Sequence, residues 1–116
     1  MNPSVVLLVE DDPLILLHLR MVLEDAGHEV LSASDAESAL TLLAERPDVV
    51  ALFTDVELPG GPNGVELAQK VQRSRPDVAI VVTSGRNVPA NDLAPLGGRF
   101  VAKPYTAAQV RQALAG

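Results

Sequence analysis

The chain predicts an α/β fold: a doubly wound, five-stranded parallel sheet sandwiched between helices. Three observations carry that reading. Short apolar runs rich in β-branched residues recur along the 116 residues, and helical periodicity fills the gaps between them. The runs are apolar at consecutive positions, as strands covered by helices on both faces require. The strongest of them end at acidic or hydroxyl residues.

The first strand is the run Val5–Val9. A helix follows from Pro13, which tolerates the first helical position because its missing N–H would have no partner there, and Gly27 stops it. Ile15, Leu19, Val22, Leu23 and Ala26 form the stripe expected to be buried. A weaker strand follows at Glu29–Ala33. Ser34 and Glu37 then have capping-box spacing at the head of a second helix, with Ala36, Ala39, Leu40 and Leu43 on one face and Pro47 beyond its end. The third strand covers 49–53, and a third helix runs from about Asn63 to Ser74.

The segments Arg46-Pro47-Asp48-Val49-Val50 and Arg75-Pro76-Asp77-Val78-Ala79 echo one another, as two helices ending at a proline turn before adjacent strands would. A strong strand follows at 78–82. Pro89, Pro95, Gly85, Gly97 and Gly98 make any fourth helix in the segment 85–98 short or irregular. A weaker strand at Arg99–Ala102 and a helix at 106–115 complete the alternation.

A chain of this length allows one domain, 1–116, and buries roughly 60–70% of its unfolded surface. Hydrophobic residues are 47% and charged residues 21% of it, and no apolar stretch approaches the roughly 18 residues of a membrane span. The lack of cysteine excludes disulfides, thiolate metal sites and a cysteine nucleophile, and suits a reducing cytoplasm. No secretory signal is expected ahead of the first strand. The net charge of -6, with nine scattered Lys and Arg, argues against direct nucleic-acid binding.

Asp55 ends the run Val49-Val50-Ala51-Leu52-Phe53-Thr54, and Asp11 and Asp12 follow the first strand. In a parallel sheet all three are delivered to one C-terminal edge, where open α/β proteins keep their sites. Carboxylates sharing a crevice repel one another, so an ionised cluster implies a bound divalent cation. Oxygen-only ligands in a small, partly hydrated site suit magnesium. Taken singly, each residue has a plainer role. Asp11 and Asp12 could cap the first helix, Asp55 could be a turn acid, and Thr83 ordinary strand chemistry. Lys103, before Pro104, could be a solvated turn lysine and Phe100 core. The stretch Gly60-Gly61-Pro62-Asn63-Gly64 lacks phosphate-loop spacing and reads as a turn. His18 and His28 read as surface residues.

Asp11-Asp12 after the first strand, Asp55 after the third, Thr83 after the fourth and Lys103-Pro104 after the fifth together resemble the receiver domain of two-component response regulators, over essentially the whole chain. The resemblance implies a flavodoxin-like sheet of order 2-1-3-4-5. It implies that Asp55 is the phosphoacceptor, taking a phosphoryl group from a phosphohistidine of a sensor histidine kinase or histidine phosphotransfer protein. Magnesium would be held by Asp12 and Asp55 with the backbone carbonyl of Glu57, Asp11 acting nearby or through water. Lys103 would pair with the phosphoryl group, and Thr83 and Phe100 would form the switch that reshapes a surface for a downstream protein. Such a domain assists its own phosphorylation and dephosphorylation without being a turnover enzyme. Two features depart from the family pattern. The loop from Asp55 to Gly64 is one residue longer than the commonest form, and Gly85 stands where a larger side chain is frequent.

Competing readings remain open at this level. An aspartate-nucleophile phosphatase of the haloacid dehalogenase type would want an Asp two residues after the nucleophile, where Glu57 stands, and a cap domain. A receiver-like interaction domain that is never phosphorylated is a second alternative. A flavodoxin-like flavin carrier fits poorly with 3% aromatics. The sequence names neither the cognate kinase nor the output, and it leaves a homodimer open.

Overall fold

The computed structural model describes residues 5–58, 60, 63–84 and 99–102. Within them the order is β1 (Val5–Val9), α1 (Pro13–Asp25), β2 (Glu29–Ala33), α2 (Ala36–Glu45), β3 (Val49–Asp55), α3 (Gly64–Ser74), β4 (Ala79–Ser84) and β5 (Arg99–Ala102). All pairings are parallel, in the order β2-β1-β3-β4-β5. The predicted doubly wound sheet is therefore the observed one. The segment 85–98 and the predicted helix at 106–115 lie outside the described residues.

Strand alternation divides the core in two. Val5, Leu7, Val9 and Leu52 pack on one face against Ala36, Ala39 and Leu43 of α2 and Leu67 and Val71 of α3. Val6, Leu8, Ala51, Phe53 and Val81 pack on the other against Leu19 and Leu23 of α1. Both faces of β1 are thus covered, which is why its sequence is apolar throughout. β3 carries one exception, since the ladder steps from Val5↔Val49 to Val6↔Ala51. Val50 is the extra residue of this bulge, and it is exposed despite its β-branched side chain.

Helix ends follow local chemistry. α1 begins with Pro13 behind the cap Asp12. It ends at Ala26 ahead of Gly27, whose φ of 94° favours glycine. Of its expected stripe, Leu19 and Leu23 are buried and Ile15 and Val22 partly so, whereas Ala26 is exposed. At α2 the cap falls one residue later than predicted: Asp35, not Ser34, accepts from the Ser38 amide at 2.8 Å. That bond holds the Asp35 carboxyl below the usual carboxylate range. α3 has the full capping box, with Asn63 and Glu66 exchanging backbone-to-side-chain bonds of 2.9 and 3.1 Å. His18 is exposed, but His28 is half-buried and its Nδ1 is enclosed without a hydrogen-bond partner.

The two Arg-Pro-Asp turns diverge in function. Arg46 pairs with Asp48 and Glu29, each at 2.9 Å, and the guanidinium holds the Asp48 carboxyl below its ordinary range. Arg75 instead donates to four backbone carbonyls: Leu43 (3.3 Å), Arg46 (3.1 Å), Pro47 (2.8 Å) and Val49 (2.8 Å). It ties the end of α3 to the α2–β3 turn, giving acceptors at the end of a helix the donors they need. Arg75→Met keeps the stem and removes the fork. It should cost about 2 kcal/mol, read as a lower urea midpoint at unchanged slope.

Candidate functional site

The crevice forms where β1 and β3 end. β1 hands over to Glu10, which continues the ladder by donating its N–H to Ala33 O at 3.1 Å, and whose side chain is drawn inward with only 2% of the residue exposed. Asp11 follows and is exposed. β3 delivers Asp55, 5% exposed, in register with Thr83 of β4. The carboxylate oxygens of Glu10, Asp11 and Asp55 come within 4.8 Å of one another.

Backbone around Asp55 is held closely. Glu57 N donates to Asp55 Oδ1 at 3.2 Å, and Thr54 Oγ1 donates to Asp55 O at 2.9 Å. Val56 N donates to Thr83 O at 2.9 Å, and Gly64 N to Val56 O at 2.9 Å. Thr83 is buried at 1% exposure, so a hydroxyl-bearing strand end lies beside Asp55 as the sequence suggests. β5 places Phe100 opposite Val82 and Val101 opposite Thr83. Lys103 and Pro104 lie outside the described residues.

One placement departs from the sequence reading. Asp12, expected among the magnesium ligands, caps α1: its Oδ1 accepts from Leu14 N at 2.9 Å and Ile15 N at 3.3 Å. Among the described residues the third carboxylate of the cluster is Glu10, which the sequence reading passed over. Its Oε2 accepts from Asp12 N at 3.1 Å, linking cap and cluster. The signal lay in the triplet Glu10-Asp11-Asp12 standing before Pro13. A helix opening on proline takes its cap from the residue just ahead, and aspartate is among the best caps, which leaves the first two acids for the crevice.

Three carboxylates fit a hard divalent cation. Oxygens at about 2.1 Å on opposite sides of a magnesium ion are about 4.2 Å apart, so donors within 4.8 Å close on one ion with shifts of a few tenths of an ångström. Next to the crevice, α1 turns Leu14, Leu17 and Met21 outward at 77%, 55% and 57% exposure, on the face that i, i+3 and i+7 share. None of the described helices is long and apolar enough to cross a membrane.

Comparison with known proteins adds an independent line. The family model described as the response regulator receiver domain matches residues 6–115. The nitrogen assimilation regulatory protein NtrX of Azorhizobium caulinodans is 35% identical over 107 residues, covering 88% of this chain and 23% of that protein. The probable transcriptional regulatory protein TcrX of Mycobacterium tuberculosis is 30% identical, covering 94% of this chain and 47% of that one. The chain thus spans less than half the length of these curated relatives. A response regulator receiver protein from Sinorhizobium medicae, known from its crystal structure, superposes with a TM-score of 0.86. The two are 26% identical, over 98% of this chain and 93% of that one.

Proposed function

This chain belongs to the response regulator receiver domain family, and on that footing we propose that residues 1–116 act as one phosphoacceptor module of a two-component phosphorelay. An Asp55 carboxylate oxygen attacks the phosphorus of a phosphohistidine on a sensor kinase or phosphotransfer protein. The P–N bond breaks with its electron pair left on the imidazole, a P–O bond forms, and Asp55 carries an acyl phosphate. The observation that carries this reading is the nearly buried carboxylate of Asp55, brought beside Glu10 and Asp11 at the C-terminal edge of the sheet.

Glu10, Asp11 and Asp55, with the carbonyl of Glu57, are the groups that would hold magnesium, which supplies charge neutralisation for the transferring phosphoryl group. Glu57 N donates to Asp55 Oδ1 and so helps to orient the carboxylate that acts as nucleophile. Thr83 would donate to a phosphoryl oxygen, Lys103 would pair with another, and Thr83 with Phe100 would pass the charge change to an output surface. The apolar face of Leu14, Leu17 and Met21 suits a helical partner that brings its phosphohistidine to the crevice.

Acetyl phosphate with magnesium tests the reading directly. Intact mass should rise by one phosphoryl group in the wild type and stay unchanged in Asp55→Asn. Equal gain by both, or steady release of phosphate with no modified protein at any time, would overturn it.

A further inference from the structure

The peptide unit that follows the phosphoacceptor is held at both ends. Its carbonyl, Asp55 O, accepts from Thr54 Oγ1 at 2.9 Å, and its amide, Val56 N, donates to Thr83 O at 2.9 Å. The next amide along, Glu57 N, is the one that binds Asp55 Oδ1. Displacement of the 55–56 peptide would therefore shift the stretch of backbone that joins Asp55 to this amide donor. Gly64 packs directly on the same carbonyl, leaving it no room to tilt toward α3.

Thr54 is fully buried. Its pleat position is that of Leu52, on the side of the sheet covered by α2 and α3, opposite to Asp55. Valine would fill the same space in a face otherwise lined by Val9, Leu52 and Val82, and in register Thr54 lies between Val9 and Val82. A hydroxyl there carries a desolvation cost that only a hydrogen bond offsets. Its one assigned bond goes to the backbone of the residue that does the chemistry.

We propose that Thr54 is a positioning residue for phosphoryl transfer: its hydroxyl, acting from the opposite face of the sheet, holds the peptide that aims the Asp55 carboxylate. This inference rests on the phosphoacceptor reading. Thr54 touches neither donor nor phosphoryl group. By fixing the peptide between Asp55 and Val56 it keeps the Asp55 carboxylate and Glu57 N in the geometry of their hydrogen bond. A misplacement of about 1 Å at a reacting centre can cost on the order of 100-fold in rate, so a partial loss of aim is expected to cost about tenfold.

The test measures the rate of phosphoryl gain from acetyl phosphate, by intact mass at saturating magnesium, together with the thermal midpoint. Thr54→Val and Thr54→Ala should be slowed by about tenfold, and Thr54→Ser, which restores the donor, should stay close to the wild type. Val82→Ala, in register with Thr54, loses buried packing but keeps the hydroxyl. It should melt lower and react at the wild-type rate. If Thr54→Val does not fold, the Ser and Ala variants, which differ by one hydroxyl, decide the matter alone. Wild-type rates in Val and Ala would overturn the inference, as would rates that track the thermal midpoint across all four variants, including Ser and Val82→Ala. A wild type that takes up no phosphoryl group would instead overturn the phosphoacceptor reading and this inference with it.

Discussion

Asp11→Asn should raise the magnesium concentration needed for half-saturation on the order of 100-fold, because charge count and the number of oxygen ligands set the affinity of such sites. Glu10→Gln should act in the same direction, and Asp12→Asn should leave affinity nearly unchanged. The three variants each alter one acid of a continuous triplet, yet only two of those acids join Asp55 in the cluster. The third is committed to Leu14 N and Ile15 N, and asparagine caps a helix about as well as aspartate. Thermal melts across a magnesium series report the difference, since a ligand that binds only the folded state adds about 2.7 kcal/mol at 100 times its dissociation constant. In chelator the sign reverses for Asp11→Asn and Glu10→Gln. With one of three clustered charges removed, repulsion falls and both should melt above the wild type. Equal loss of affinity in Asp12→Asn would return that residue to the ligand set.

Gly64→Ala should destabilise the fold by about 3 kcal/mol, enough to lower the thermal midpoint by roughly 10 °C. The reason is space rather than dihedral freedom. A Cβ at Gly64 would overlap the Asp55 carbonyl oxygen and stand 2.7 Å from its carbon and 2.9 Å from the Val56 Cα, all backbone atoms. Gly27 and Gly60 have nothing within 4 Å of the same added atom, although both need positive φ. Relief at Gly64 would require α3 to retreat from the end of β3 or the 55–56 peptide to turn. Either movement shifts Asp55, so on the proposed phosphoacceptor role the surviving folded protein should also gain a phosphoryl group more slowly. Scanning calorimetry and the acetyl phosphate rate check the two parts. A variant with an unaltered midpoint would mean that α3 can withdraw at little cost.

Much of the scaffold was legible because period-2 and period-3.6 patterns are properties of the chain itself. β1, β2 and β5 have the predicted boundaries, and α1 starts at Pro13 and stops before Gly27 as punctuation by proline and glycine requires. Val50 was not legible. Nothing in an unbroken apolar run marks which residue will be the extra one in a bulge, and only the β1 register excludes it from the core. Likewise the two Arg-Pro-Asp turns read identically, yet Arg46 reaches carboxylates and Arg75 reaches carbonyls. What a long flexible side chain meets depends on which elements lie beside it.

The candidate site divides in the same way. Asp55 and Thr83 were found at strand ends, where strand direction alone sends them to one edge, and the ladder pairs them. The membership of the acid cluster was settled by α1. A helix must satisfy its first amides, Asp12 does so, and the inward place passes to Glu10. The amino-acid sequence by itself therefore determined the alternation of elements and the sheet edge to which Asp55 and Thr83 are delivered, because these follow from hydrophobic period and chain direction. Tertiary structure alone decided which neighbouring acid faces the crevice, how closely Gly64 covers Asp55, and that Thr54 holds its peptide from the far face. Those outcomes depend on ångström-scale distances between segments remote in sequence, which no local pattern encodes.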